Sequence, residues 1–157
     1  MYTLSQVLAV IGVLSAGVIY GTDVLGALVM RPVWEKVDER TLVVVNGATH
    51  YFADRRMPIP GITSVVAAVL ATAASAIAGQ WIAAVAAGVT TVALLSWLAI
   101  YFRINAPINR LLTEAAQEDR VPEDARALQT RWDSVIYVRA VLQGLAVAGF
   151  CIVLVVL

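Results

Sequence analysis

Residues 4–30 read LSQVLAVIGVLSAGVIYGTDVLGALVM, an apolar run with a single formal charge, Asp23. At about 1.5 Å of rise per residue, a helix of this length exceeds a hydrocarbon core about 30 Å thick. The run is also too long for a signal-peptide core, has no basic residue before it and lacks a small-residue cleavage site, so it is expected to stay in the mature protein. Three further runs of the same kind occur at 61–78, 81–102 and 135–157. The chain is therefore expected to be an all-α integral membrane protein, one four-helix transmembrane bundle over residues 1–157.

Composition points the same way. Of 157 residues, 61% are hydrophobic and 14% charged, with a mean hydropathy of +0.83, whereas soluble domains carry about a quarter charged residues. Eleven basic and eleven acidic side chains cancel, which leaves no net field to attract nucleic acid. Cys151 is the single cysteine, so internal disulfides, thiol relays and cysteine-based zinc sites are excluded.

Every basic residue except Arg139 falls in one of two segments, 31–60 or 103–134. The positive-inside rule then places both long loops in the cytoplasm and both termini outside, as in a bacterial-type inner membrane. Gly79 and Gln80 alone join the second and third helices, which forces an antiparallel hairpin. Its small residues, among them Ala67, Ala71, Ala84 and Gly88, permit close backbone approach, as Gly17 and Gly21 do on the first helix.

In the first loop, Val37, Thr41, Val44, Val45 and Ala48 recur at helical spacing and predict an interfacial helix, ending before Met-Pro-Ile-Pro-Gly at 57–61. In the second, Pro107 is expected to break the third helix near its exit, and Pro122-Glu123-Asp124 to start a long fourth helix running unbroken over 123–157. Such a helix is about 52 Å long, so its first third should project into the cytoplasm.

Polar residues inside the apolar runs carry the functional signal. Asp23 lies about 10 Å inside the cytoplasmic boundary, and Arg139 lies at a similar depth near the start of the fourth helix. An unpaired charge there costs about 2.5–3.5 kcal/mol. The two are therefore expected to be partners, directly or through water, in a cavity opening to the cytoplasm. Trp132, Arg139 and Gln143 share one stripe of the fourth helix, Tyr20 and Asp23 one face of the first, and Trp97 and Tyr101 point toward a turn at 105–109. The aromatic residues also fit an interfacial belt, and the ion pair also fits a purely structural clamp. His50 is the only histidine and the natural base, since an imidazole ordinarily titrates near 6.5. One histidine with scattered carboxylates such as Asp23 and Asp54 has no metal-ligand spacing, and no metal is expected.

The order of features resembles the anthrone oxygenase-like family of small four-helix membrane proteins. The resemblance rests on the first helix with its glycines between Gly17 and Gly26, His50-Tyr51-Phe52, Asn105-Ala106-Pro107-Ile108-Asn109, and Trp132 with Arg139 seven residues on. It implies a cofactor-independent monooxygenase that deprotonates a lipophilic polyketide-like substrate and passes it to dioxygen. In that role His50 is the base, Arg139 with Asn105 or Asn109 holds the oxyanion, and Trp132 and Tyr101 form an aromatic wall. The same parts suit isomerisation or cyclisation. A proton-coupled exporter working through Asp23 as a dimer, and a structural accessory protein, are the alternatives from other classes. The expected partners are the lipid bilayer, a lipophilic substrate, dioxygen and a second copy of the chain.

Overall fold

The computed structural model describes residues 2–157, and every regular element among them is helical. Helix α1 (Tyr2–Leu25) continues through a π-helical turn, π1 (Gly26–Met30), into α2 (Arg31–Trp34). Then come α3 (Glu39–Arg56) and α4 (Pro58–Ile77). Helix α5 (Trp81–Ile100) passes through a second π turn, π2 (Tyr101–Asn105), into α6 (Ala106–Gln117), followed by α7 (Ala125–Asp133) and α8 (Ile136–Val156). Four helices, Thr3–Trp34, Pro58–Ile77, Trp81–Gln117 and Ala125–Val156, are long and apolar enough to cross a membrane.

Helix α1 packs between α4 and α8, and α5 packs between the same two from the opposite side. Small residues make that spacing possible: Ala9, Ala16, Ala68, Ala71, Ala87 and Ala146 are fully buried around Leu94 and Phe150. Outward faces are greasy, with Leu14, Ile77 and Val155 more than two-thirds exposed. A surface of that kind is unfavourable in water and neutral in lipid. At the α4–α5 hairpin Gly79 takes a φ of +71°, and the amide of Gln80 closes on the Ser75 carbonyl at 2.9 Å. A residue with a Cβ would strain that helix end.

A second apolar cluster sits at the loop end, where Leu42 and Val43 of α3 meet Ile108, Leu112 and Ala115 of α6 beside Trp34. Asp38 starts α3 by accepting the Thr41 amide at 2.9 Å and the Thr41 hydroxyl at 2.7 Å. Those bonds hold its carboxyl below the usual carboxylate range. The buried face of α3 is Leu42, Val43, Asn46, Gly47 and His50. The valine stripe at Val44 and Val45 is left exposed. Gly47 lets α3 approach α6, because a methyl there would overlap the Leu112 carbonyl oxygen. Arg126 of α7 closes the end by donating to the Trp34 and Val37 carbonyls.

The bounds of all four membrane-length helices differ from expectation. Pro107 does not break the third helix, which runs on to Gln117, and the first helix likewise runs past Pro32 to Trp34. Each proline lies just beyond a π turn: the Arg31 amide bonds back to the Gly26 carbonyl, and the Ala106 amide to the Tyr101 carbonyl. A proline ring collides with the carbonyl four residues earlier and offers no donor, and widening the preceding turn relieves that collision while keeping the rod continuous. The segment expected to be a turn at 105–109 is therefore helical. The fourth helix, expected unbroken from 123, begins at Ala125 and is interrupted between Asp133 and Ile136. Finally, α4 begins at Pro58 rather than 61, since prolines in a first helical turn forgo no intrahelical bond.

Candidate functional site

The polar residues that interrupt the apolar runs gather between the two apolar clusters. Asp23, near the end of α1, is 3% exposed, and Arg139, in the first turn of α8, is 6% exposed. They meet directly: Arg139 Nη2 donates to Asp23 Oδ1 at 2.6 Å. The other carboxylate oxygen, Oδ2, accepts the indole N–H of Trp97 on α5 at 2.8 Å. Three helices thus converge on one carboxylate, which repays part of the desolvation of both charges.

Three aromatic rings surround the guanidinium. Its Cζ lies 5.4 Å from the Trp97 ring centre, 5.3 Å from Trp132 and 5.9 Å from Tyr101. Trp97 and Tyr101 stack at 5.8 Å with planes 10° apart, as residues four apart on one helix face can. This arrangement keeps a cation in an apolar place by surrounding it with the electron-rich faces of the rings.

A hydrogen-bonded chain orients two of those rings, Tyr101 and Trp132. Asp54 Oδ1 accepts from the Tyr101 hydroxyl at 2.8 Å and from Asn109 Nδ2 at 2.9 Å. Asn109 Oδ1 in turn accepts the Trp132 indole N–H at 2.8 Å. Asn105 of π2 reaches the Trp132 carbonyl with Nδ2 at 3.5 Å. His50 stands one turn before Asp54 on α3, its ring 5.7 Å from Trp132. Burial pushes its pKa down to about 4, with Asp54 opposing the shift and Arg139 adding to it. The imidazole is therefore neutral near pH 7.

Several buried polar atoms here have no partner among the described residues: His50 Nε2, Asn105 Oδ1, Arg139 Nε and Nη1, and both amide atoms of Gln143, one turn beyond Arg139. Buried polar groups are nearly always satisfied, so a cluster of unsatisfied ones around one cation requires an explanation.

Of the residues expected at the site, Asp23, Arg139, Tyr101, Asn109, Trp132, Asn105 and His50 are linked by these contacts, and Gln143 adjoins them along α8. Tyr20 is not among them. It is 38% exposed, with its ring against Gly144 on the outer side of α8, because a three-residue step turns it away from Asp23. Two clefts, of about 450 and 250 Å3, do not match the expected cavity, since neither is lined by Asp23 or Arg139. Trp97 and Asp54 prove as well connected as any expected residue. Asp54 had a signal, its position four residues after His50. Among the described residues no group of three or more His, Cys, Asp or Glu side chains is placed to hold a metal. Comparison with protein-family models, with curated proteins and with solved structures finds no match to this chain.

Proposed function

We propose that this protein is a membrane-embedded enzyme acting on a flat, lipophilic, polyketide-like aromatic substrate, of the cofactor-independent oxygenase type implied by its resemblance to the anthrone oxygenase-like family. The observation that carries the proposal is the cluster of unpartnered donors and acceptors around Arg139, walled by Trp97, Tyr101 and Trp132. In this reading the helices form a four-helix transmembrane bundle with both long loops and this site on the cytoplasmic side. Helix α3 lies at the interface with Val44, Val45 and Phe52 toward lipid, in keeping with their exposure.

The chemistry needs few parts. His50, neutral and unpartnered at Nε2, takes a proton from an acidic C–H of the substrate. The free N–H groups of Arg139 and the Gln143 amide hold the resulting oxyanion. That anion also offsets the Arg139 charge that lowers the affinity of His50 for its proton. Dioxygen, which partitions into apolar space, accepts electrons from the delocalised anion. One oxygen atom ends on carbon as a ketone, and the other leaves as water with the two hydrogens of the methylene. Asp23, with both oxygens occupied, positions Arg139 and moves no proton.

A structural reading is favoured by one observation, that Asp23 ties α1, α5 and α8 together. Gln143→Leu separates the two readings. If the unpartnered amide is only packing, the apolar replacement leaves stability equal or higher and changes no activity. In the enzymatic reading the folded variant loses about tenfold or more of the oxygen-dependent turnover of an anthrone by membranes containing the protein. Resistance to lipophilic cations abolished by Asp23→Asn, with no turnover in any variant, supports an exporter instead.

A further inference from the structure

The two clefts of about 450 and 250 Å3 both lie along the seam between the first and fourth membrane-length helices. On the first, the stripe of lining residues is Tyr20, Val24 and Leu28, then, beyond π1, Arg31 and, one residue past α2, Glu35. On the fourth, the stripe is Asp133 at the end of α7, then, beyond the interruption, Tyr137, Val141 and Gly144 of α8. The larger cleft takes the charged ends of both stripes and the smaller takes the apolar ends. Between the two clefts, Arg31 of the larger and Tyr137 of the smaller meet, the guanidinium lying over the ring 5.5 Å from its centre.

We propose that this seam binds one glycerophospholipid with a zwitterionic headgroup ending in a primary amine. The polar cleft is lined by two cations, Arg31 and Arg126, and two carboxylates, Glu35 and Asp133, so its charges cancel and match a phosphate beside an ammonium better than a net anion. Arg126 is fixed on the Trp34 and Val37 carbonyls, and Asp133 accepts from Gln129 Nε2 at 3.0 Å. Arg31 and Glu35 have no ion-pair partner among the described residues. They are the groups free to take the phosphate and the amine, and a primary ammonium can donate to a carboxylate where a quaternary one cannot.

Below them Leu28, Tyr137 and Val141 are 65%, 49% and 61% exposed, so the groove opens to the outside of the helix packing. From Tyr20 to Arg31 it runs about 16 Å, the depth of one leaflet of hydrocarbon. A single acyl chain lying there with its head in the charged cleft fits both halves of the seam. The proposal stands apart from the enzymatic reading and needs only that these helices cross a membrane.

The test is native mass spectrometry of the full chain in detergent, incubated with phosphatidylethanolamine, phosphatidylcholine or phosphatidylglycerol of identical acyl chains. Phosphatidylethanolamine is expected to be retained about tenfold over the other two, and Arg31→Gln or Glu35→Gln to bring the three to parity. Arg103→Gln, at an exposed site off the seam, should leave the preference intact. Free glycerophosphoethanolamine, lacking chains, should not be retained. Equal retention of all three lipids, preference for phosphatidylglycerol, or a preference unmoved by either seam variant would overturn the proposal, as would retention of the chainless headgroup.

Discussion

Asp23 and Arg139, 116 residues apart in sequence, share a 2.6 Å hydrogen-bonded ion pair with their side chains 4% and 7% exposed. The pair joins the first and last membrane-length helices and holds the guanidinium among three aromatic rings. Removing one partner leaves the other charge buried. Asp23→Leu and Arg139→Met are therefore each expected to destabilise the protein by about 3 kcal/mol, with the double variant costing much less than the sum. A double-mutant cycle from chemical denaturation in detergent measures the coupling. Additive losses would mean that the two charges do not depend on each other.

His50 gives stability a defined pH dependence. The unfolded imidazole takes up a proton near pH 6.5, whereas the folded one waits until about pH 4. Between those values the unfolded chain binds more protons, so stability is full above about pH 6.5 and falls as pH drops toward 4, by up to about 3 kcal/mol. His50→Gln should flatten that slope. Because His50 is the only histidine, its imidazole signal in an NMR titration reports the midpoint without assignment.

Gly47→Ala places a methyl against the Leu112 backbone oxygen and Ala116, and backbone cannot step aside as a side-chain tip can. The expected cost is about 1–3 kcal/mol, with α3 becoming the first segment cut by protease. Gly61→Ala, whose methyl meets nothing within 4 Å, is the matched control. It should hold or raise stability by up to about 1 kcal/mol, since alanine favours helix.

Trp132→Phe keeps a ring beside His50 and Arg139 but loses the N–H that Asn109 accepts. Turnover of a flat phenolic substrate is expected to fall about tenfold, and about a hundredfold in Trp132→Ala, where the ring itself is gone. Asp54→Asn should resemble Trp132→Phe, because it weakens the acceptor that orients both Tyr101 and Asn109. Unchanged turnover in folded Trp132→Phe would make this residue part of the interfacial belt only.

Four apolar helices could be read from the chain because a bilayer's thickness acts on each segment by itself: hydropathy and length are local quantities. The pairing of Asp23 with Arg139 was expected from positions counted along single helices and was legible for the same reason. The Asp23–Trp97 bond, the Asp54–Asn109–Trp132 chain and the outward turn of Tyr20 were not. Each depends on how far a helix is rotated against its neighbours, and a π turn adds a residue that rotates the downstream helix by roughly 100°. Helix α3 shows the same division. Its valine stripe announced an amphipathic helix, but close packing on α6 selected the face with Gly47 and Asn46 for burial, a choice settled only where two backbones come together.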